Sequence, residues 1–182
     1  MAEGLNLPPG MPGPVSRLVR TIDAISVWSG KLFAWLVIPL TGALVYEVLA
    51  RYLFSAPTQW AFDTTYMLYG THFMMVAAYG LAKHDHIRTD FLYRLLPERW
   101  QAIIDTVLYL VLFIPALVVF TWVTADFAWE SWVQRERSNL SAWLPPVYPL
   151  KAVLPLSALL LLLQGISEMV KSAYAAKRGS WE

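Results

Sequence analysis

Few residues in this sequence could do chemistry, and the first candidate is a carboxylate inside an apolar stretch. Glu47 is followed four residues later by Arg51, which is the favourable order for an ion pair on a helix. An acid within a membrane-spanning stretch is by default a functional candidate, so Glu47 could carry protons, as in a small antiporter. Its position near one end of the stretch favours a structural ion pair with Arg51 instead.

His72 is the second candidate, because it lies near the middle of another apolar stretch. A histidine at that depth could ligate haem or relay protons. Low-spin haem takes two such ligands on facing helices, whereas His84 and His86 follow Lys83 outside the stretch. A haem-binding redox membrane anchor that uses His72 is thus the alternative function. The sequence favours a hydrogen bond between helices for this residue.

Polar residues also gather just beyond that stretch, at His84, Asp85, His86, Arg88 and Asp90. They could ligate a metal, but mixed charges at a membrane border are typical of a solvated turn. No serine-histidine-acid triad or zinc-helix pattern accompanies them. We therefore predict that the chain is not an enzyme and holds no cofactor and no metal.

Two further residues precede or begin the same apolar stretch. Trp60 is suited to the membrane interface, and Asp63 stands where the N-terminus of a helix favours negative charge. By itself such an acid is a good helix-capping choice.

The composition explains why polar candidates are scarce. Of the 182 residues, 57% are hydrophobic and 15% are charged, whereas soluble domains carry about 25% charged residues. The absence of cysteine excludes thiolate nucleophiles and cysteine-ligated metals. A net charge of +1 does not indicate the strongly basic surface that nucleic-acid-binding proteins carry. The chain is therefore an integral membrane protein.

Four apolar stretches must position these residues: 32–50, 64–82, 106–125 and 152–167, the last extended upstream by residues 143–150. Each is close to the length that a helix needs to cross the hydrocarbon core. We predict an all-α fold with four transmembrane helices, kinked at Pro39, Pro115 and Pro155.

Positive charge indicates the orientation. Ten Lys and Arg residues fall in the N-terminal segment, the second loop and the tail, and four in the first and third loops. By the positive-inside rule both termini are cytoplasmic. On the opposite side of the membrane, an aromatic belt at the level of the lipid headgroups is then formed by Trp60, Trp122, Trp129, Trp132, Trp143 and Tyr148.

The same pattern divides the chain. Residues 1–14 are rich in Pro and Gly and form a flexible leader, residues 15–31 are an interfacial helix or an extension of the first span, 32–170 are the four-helix membrane domain, and 171–182 are a cytoplasmic tail. In the second segment, apolar residues from Val15 to Ile25 recur at helical spacing, with Arg17, Arg20 and Asp23 on the other face. We predict a similar short interfacial helix at residues 87–96.

Several motifs, taken in order, resemble one family. They are Glu47-x3-Arg51-Tyr52-x-Phe54, Pro57-x2-Trp60-x2-Asp63, Ala78-Tyr79-Gly80 and His86-Ile87-Arg88-x-Asp90-x4-Leu95-x-Pro97. The sequence is similar over residues 28–169 to the small, four-helix membrane subunit of tripartite ATP-independent periplasmic (TRAP) transporters. Asp63 stands where that family often has Glu.

The resemblance implies a secondary transporter with three parts, whose membrane subunits lie in the bacterial inner membrane. A periplasmic binding protein captures an organic acid, a large membrane permease subunit moves it with sodium, and the small subunit packs against the large one as a scaffold. It also implies that Glu47, Arg51, Trp60, Asp63, His86, Arg88 and Asp90 are structural or partner-interface residues. Membrane lipid is the remaining partner, and nucleic acid is not one.

Overall fold

The computed structural model describes residues 11–83 and 96–178, most of which are helical. The elements are α1 Gly13–Ala34, α2 Val37–Leu53, α3 Ala61–Ala82, α4 Glu98–Leu108, a π-helical turn at Tyr109–Phe113, α5 Ile114–Gln134 and α6 Tyr148–Arg178. Across these residues, extended pairing is limited to an isolated bridge between Arg137 and Pro146. The all-α prediction is confirmed for the described part of the chain.

The first two helices form one long rod that is broken at Trp35 and Leu36. Proline lacks a backbone N–H, and its ring clashes with the carbonyl four residues earlier, so Pro39 disturbs the helix at Trp35. The Ile38 N–H donates to the Trp35 carbonyl at 3.1 Å, and the Leu40 N–H donates to Leu36 at 3.1 Å. The kink therefore falls just before the proline.

This broken rod runs antiparallel along α3. Tyr46 of α2 contacts Trp60 at the start of α3, with ring centroids 5.6 Å apart. Gly30 of α1 meets Tyr79 near the other end of α3, where a Cβ on Gly30 would lie 2.2 Å from the Cβ of Tyr79. Only glycine permits this approach, because real Cβ atoms do not come so close.

The face of α1 that is buried differs from the predicted one. Leu18 and Ile25 are 59% and 45% exposed, whereas Asp23 and Ser26 are buried together with Val19. The prediction that Asp23 lies on the polar outer face is wrong, because its carboxylate has partners on α6. α1 packs against both α3 and α6.

The π-helical turn accommodates Pro115 at the beginning of α5. The Ile114 N–H donates a hydrogen bond to the carbonyl of Tyr109, five residues back. This wider turn ends directly before Pro115, which has no backbone N–H to donate. The same turn places Phe113 against α6. A Cβ on Gly165 would lie 2.3 Å from Cε1 of Phe113.

α6 lies at the centre of the bundle, where it packs against α1, α3, α4 and α5. It is one helix of 31 residues with Pro155 inside it. The helix continues to Arg178, beyond residue 170, where the sequence predicts the start of the tail. Lys171 is buried there.

Within the part of the chain that the structure describes, three helical stretches are long and apolar enough to cross a membrane: Gly13–Leu53, Glu98–Gln134 and Tyr148–Arg178. α3 has 22 residues but is not among them. Asp63, His72 and its tyrosines and threonines lower its hydropathy. The chain is a membrane protein whose apolar side chains, such as Trp35 and Trp122, largely face outward.

Candidate functional site

Glu47 is held from two directions at the end of α2. Its Oε1 accepts a hydrogen bond from Nε of Arg51 at 3.0 Å, and its Oε2 accepts one from the Thr58 N–H at 3.0 Å. The Thr58 hydroxyl also donates to Oε2. The Glu47 side chain is 15% exposed and that of Arg51 is 56% exposed. The carboxylate therefore fastens the loop between α2 and α3 to α2, while Arg51 faces outward.

Asp63 does not join Glu47 and Arg51, but binds the loop between α5 and α6. It is fully buried on the first turn of α3. The Ser138 hydroxyl donates to Oδ1 at 2.7 Å, and the Ser141 hydroxyl donates to Oδ2. Each serine oxygen in turn accepts a backbone N–H, from Leu140 and from Trp143, at 3.2 Å. Asp63 thus organises the third loop.

The loop of residues 135–147 is also closed at its base. α5 ends at Gln134 and is capped by Arg135, whose φ of 49° is left-handed, so that the Glu136 N–H reaches the Ser131 carbonyl at 3.1 Å. The Val147 N–H donates to the Glu136 carbonyl at 3.0 Å. These bonds leave the loop tip fixed against α3 rather than free.

Lys151 completes this end of the bundle. Its Nζ donates to Oε2 of Glu136 at 2.5 Å and lies 4.0 Å from the ring centroid of Phe127. The hydrogen bond from Lys151 holds the pKa of the Glu136 carboxyl below its ordinary value. The cation at the start of α6 is therefore neutralised by the loop.

A third polar cluster joins α1 to the second half of α6. Oδ1 of Asp23 accepts hydrogen bonds from Gln164 at 2.9 Å and from Ser167 at 2.7 Å. Nζ of Lys171 lies 3.2 Å from Oδ2 of Asp23 and 2.5 Å from Oε1 of Glu168. All five side chains are buried. We call these residues the buried cluster.

Sequence reasoning missed the buried cluster, although a signal for it was present. Gln164, Ser167, Glu168 and Lys171 follow the i, i+3, i+4, i+7 spacing of one helical face. A polar stripe at the end of an apolar helix is also typical of a membrane border, so the sequence predicts that Lys171 begins the cytoplasmic tail. The matching partner, Asp23, lies 148 residues from Lys171 and cannot be recognised locally.

His72 forms a contact between helices. Its Nδ1 lies 3.0 Å from the carbonyl oxygen of Phe33, at the end of α1, and the side chain is half-buried. The contact occupies one ring nitrogen and bridges α1 and α3, as expected of a histidine hydrogen-bonded between helices.

Trp60 packs on Tyr46, as described above. His86, Arg88 and Asp90, with the rest of the 84–90 cluster, lie outside the described residues. No group of three or more His, Asp or Glu suited to a metal occurs in residues 11–83 and 96–178.

Comparison with known proteins agrees with the resemblance in the sequence. The sequence model described as "Tripartite ATP-independent periplasmic transporters, DctQ component" matches residues 40–174. The chain is 26% identical over 117 residues to the C4-dicarboxylate TRAP transporter small permease protein DctQ of Vibrio cholerae serotype O1, a match covering 64% of this chain and 47% of that protein. It is 27% identical over 97 residues to the sialic acid TRAP transporter permease protein SiaT of Haemophilus influenzae, covering 53% of this chain and 15% of that protein.

Proposed function

Because the chain belongs to the DctQ component family of the tripartite ATP-independent periplasmic transporters, we propose that it is the small permease subunit of a sodium-coupled secondary transporter for organic acids. It works with a large membrane permease subunit and a periplasmic substrate-binding protein, and acts as a scaffold for the large subunit. The names of two relatives, which specify a C4-dicarboxylate and sialic acid, support an organic acid as substrate.

The scaffold role rests on one observation, that the embedded carboxylates are occupied by donors of this chain. Asp23, Glu47, Asp63 and Glu168 each accept hydrogen bonds from its side chains. A transport site instead needs polar groups that are open to a substrate or ion, commonly at broken helices near the bilayer midplane. Carboxylates used in this way fix the helices and loops of the subunit.

The proposal includes four spans in the inner membrane with both termini cytoplasmic. The ten-to-four distribution of Lys and Arg supports this orientation. Two contacts support the even number of spans. Asp63 joins the start of α3 to the third loop, and Asp23 joins α1 to the far half of α6. The first and third loops therefore share one end of the bundle.

The proposal is tested by Glu47→Gln in a co-expressed complex with the large subunit. The substitution weakens the pair with Arg51 and the hold on Thr58, so we expect about two- to fivefold less one-to-one complex, the range for a partly exposed ion pair. Uptake in proteoliposomes, normalised to assembled complex, should keep its sodium dependence and its half-saturation for substrate. Asp126→Asn, at an exposed carboxylate of α5, is the matched control.

Two results would contradict the proposal. A changed sodium Hill coefficient in Glu47→Gln would assign ion coupling to this subunit. A monodisperse homodimer that ignores the co-expressed large subunit would remove the scaffold role.

A further inference from the structure

A cleft of about 490 Å³ lies between α3 and α6, directly beneath the loop of residues 135–147. Its body is lined by apolar and aromatic side chains, among them Tyr66, Tyr69, Met74, Leu150 and Leu154. Tyr66 and Tyr69 are 52% and 58% exposed. The cleft therefore opens onto the outward-facing surface of α3, where lipid has access to it.

The loop end of the cleft is polar, with two cations and one carboxylate among the side chains that line it. Arg137, Lys151 and Glu136 line it. Glu136 is already paired with Lys151 at 2.5 Å. The hydrogen bond that the structure gives Arg137 goes to the neutral carbonyl of Leu144, at 3.4 Å. The exposed guanidinium of Arg137 is thus the group at this end that an anion would meet.

The floor of the cleft is kept open by a glycine. Gly70 lines it, and a Cβ at that position would lie 3.5 Å from Cδ1 of Leu150 and 3.7 Å from Cε of Met74. Alanine would fit there, whereas a larger side chain would extend into the cleft. From Tyr66 to Met74 the apolar lining extends about 12 Å along α3, at 1.5 Å per residue.

A cleft with cations at its loop end and apolar side chains along the rest of its length matches one class of membrane molecule. We propose that the cleft binds one glycerophospholipid, whose phosphate lies at Arg137 and one of whose acyl chains lies along residues 66–74. Arginine presents a planar fork of donors that fits phosphate oxygens. The mouth lies at the loop end of α3, which is where the headgroup of a lipid would be when its acyl chain follows the helix inward.

Apolar side chains of a partner protein are the competing occupant. They would fill the body of the cleft but would leave Arg137 without an anion. Charge complementarity therefore favours a phospholipid.

Native mass spectrometry of the full-length chain, titrated with palmitoyl-oleoyl phosphatidylglycerol in detergent, tests the proposal. Arg137→Gln should weaken binding about tenfold, the factor that corresponds to about 1.4 kcal/mol. Gly70→Leu should abolish stoichiometric binding by filling the floor, while Gly70→Ala should retain it. The controls are Arg135→Gln, at a neighbouring exposed cation outside the cleft, and Gly42→Leu, at a glycine with no atom within 4 Å of its Cβ position.

Equal lipid affinity in Arg137→Gln and Arg135→Gln would overturn the proposal. Lipid binding to the assembled complex with the large subunit is a second test. If the lipid binds the isolated chain but is excluded once the large subunit is present, partner side chains occupy the cleft, and the proposal is wrong. Because Arg137 is exposed, its variant should fold even if Gly70→Leu does not.

Discussion

Lys171 is the residue on which the buried cluster depends, because its ammonium contacts both Asp23 and Glu168. A buried ion pair adds little net stability, since desolvation offsets most of the attraction. Removing one partner is costly, because a charge is left behind without compensation. The cluster therefore makes the contact between α1 and α6 specific.

We expect Lys171→Met to destabilise the chain by about 3–5 kcal/mol, the cost of breaking a buried pair. Asp23→Asn should cost less, because Lys171 keeps its contact with Glu168. In the double variant the loss should be smaller than the sum of the two single losses. Thermal or denaturant unfolding of the purified chain in detergent measures all three.

Lys177→Met is the control for this cycle, since Lys177 lies on the same helix but is exposed. It should unfold like the wild type. Strictly additive losses in the double variant would show that Asp23 and Lys171 are not coupled.

Glu136 makes a pH-dependent contribution to the stability of the fold, at the other end of the bundle. Its pKa is lowered by the hydrogen bond from Lys151, so the folded state binds the proton less readily than the unfolded chain. The stabilisation is therefore fully present above the unfolded pKa of about 4.3 and is lost as the pH falls through the folded pKa. The difference in melting temperature between wild type and Glu136→Gln should be present at pH 7 and should shrink between pH 5 and pH 3.

Glu130→Gln serves for comparison, because Glu130 is exposed and makes no ion pair with the residues that the structure describes. Its melting temperature should follow the wild type throughout. A difference for Glu136→Gln that persists unchanged to pH 3 would contradict the role assigned to Lys151.

At the residue level, the sequence revealed contacts that are close along the chain. Arg51 lies four residues after Glu47, and helical spacing alone predicts that pair. The partners of Asp63 lie 75 and 78 residues away, in a loop whose shape depends on tertiary contacts. A pattern of residue types cannot reveal which distant donor will satisfy a carboxylate.

Helix irregularities decide how the elements pack. The apolar stretches predicted the positions of the long helices, since hydrophobic length is read directly from composition. The prolines predicted kinks but not their form. Pro39 produces a short break before α2, whereas Pro115 follows a π-helical turn.

The contact between Phe113, in the π-helical turn, and Gly165 predicts that a larger residue at position 165 will destabilise the chain. Gly165→Ala places a methyl group 2.3 Å from Cε1 of Phe113, so we expect destabilisation of about 1–3 kcal/mol from overpacking. Adding Phe113→Leu should recover part of that loss by removing the ring edge. Unfolding of the purified chain in detergent is the measurement.

Gly42→Ala is the matched control, because nothing lies within 4 Å of its Cβ position. It should be neutral or stabilising by up to about 1 kcal/mol, the difference in helix propensity. If Gly165→Ala behaves in the same way, the Phe113 ring does not pack tightly against Gly165.

On the scale of the whole molecule, two polar contacts define which ends of the bundle meet. Asp63 and Ser138 bring the first and third loops together, and Asp23 with Gln164 brings α1 to the far half of α6. Charge counting predicted the same pairing of ends, because loops that share a side of the membrane share its charge bias. It gave no information on which helix is central, since that depends on packing.

Reporter fusions test the orientation. A fusion at the C-terminus or near Arg94 should report the cytoplasm, and fusions near Ala56 or Asn139 should report the periplasm, as the ten-to-four charge distribution predicts. Alkaline phosphatase and green fluorescent protein activities, normalised to expression, give the readout. Periplasmic activity near Arg94 would reverse the orientation.

The buried cluster also has a consequence for biosynthesis. The hydrogen bond between Asp23 and Lys171 spans 148 residues, and a ribosome adds about 5–20 residues per second. For about 7–30 seconds, α1 is therefore in or at the membrane with a carboxylate whose partner has not been made. A chain that stalls before α6 keeps this acid without its partners. The buried carboxylate of α1 therefore obtains its hydrogen-bond partners only after α6 has been made.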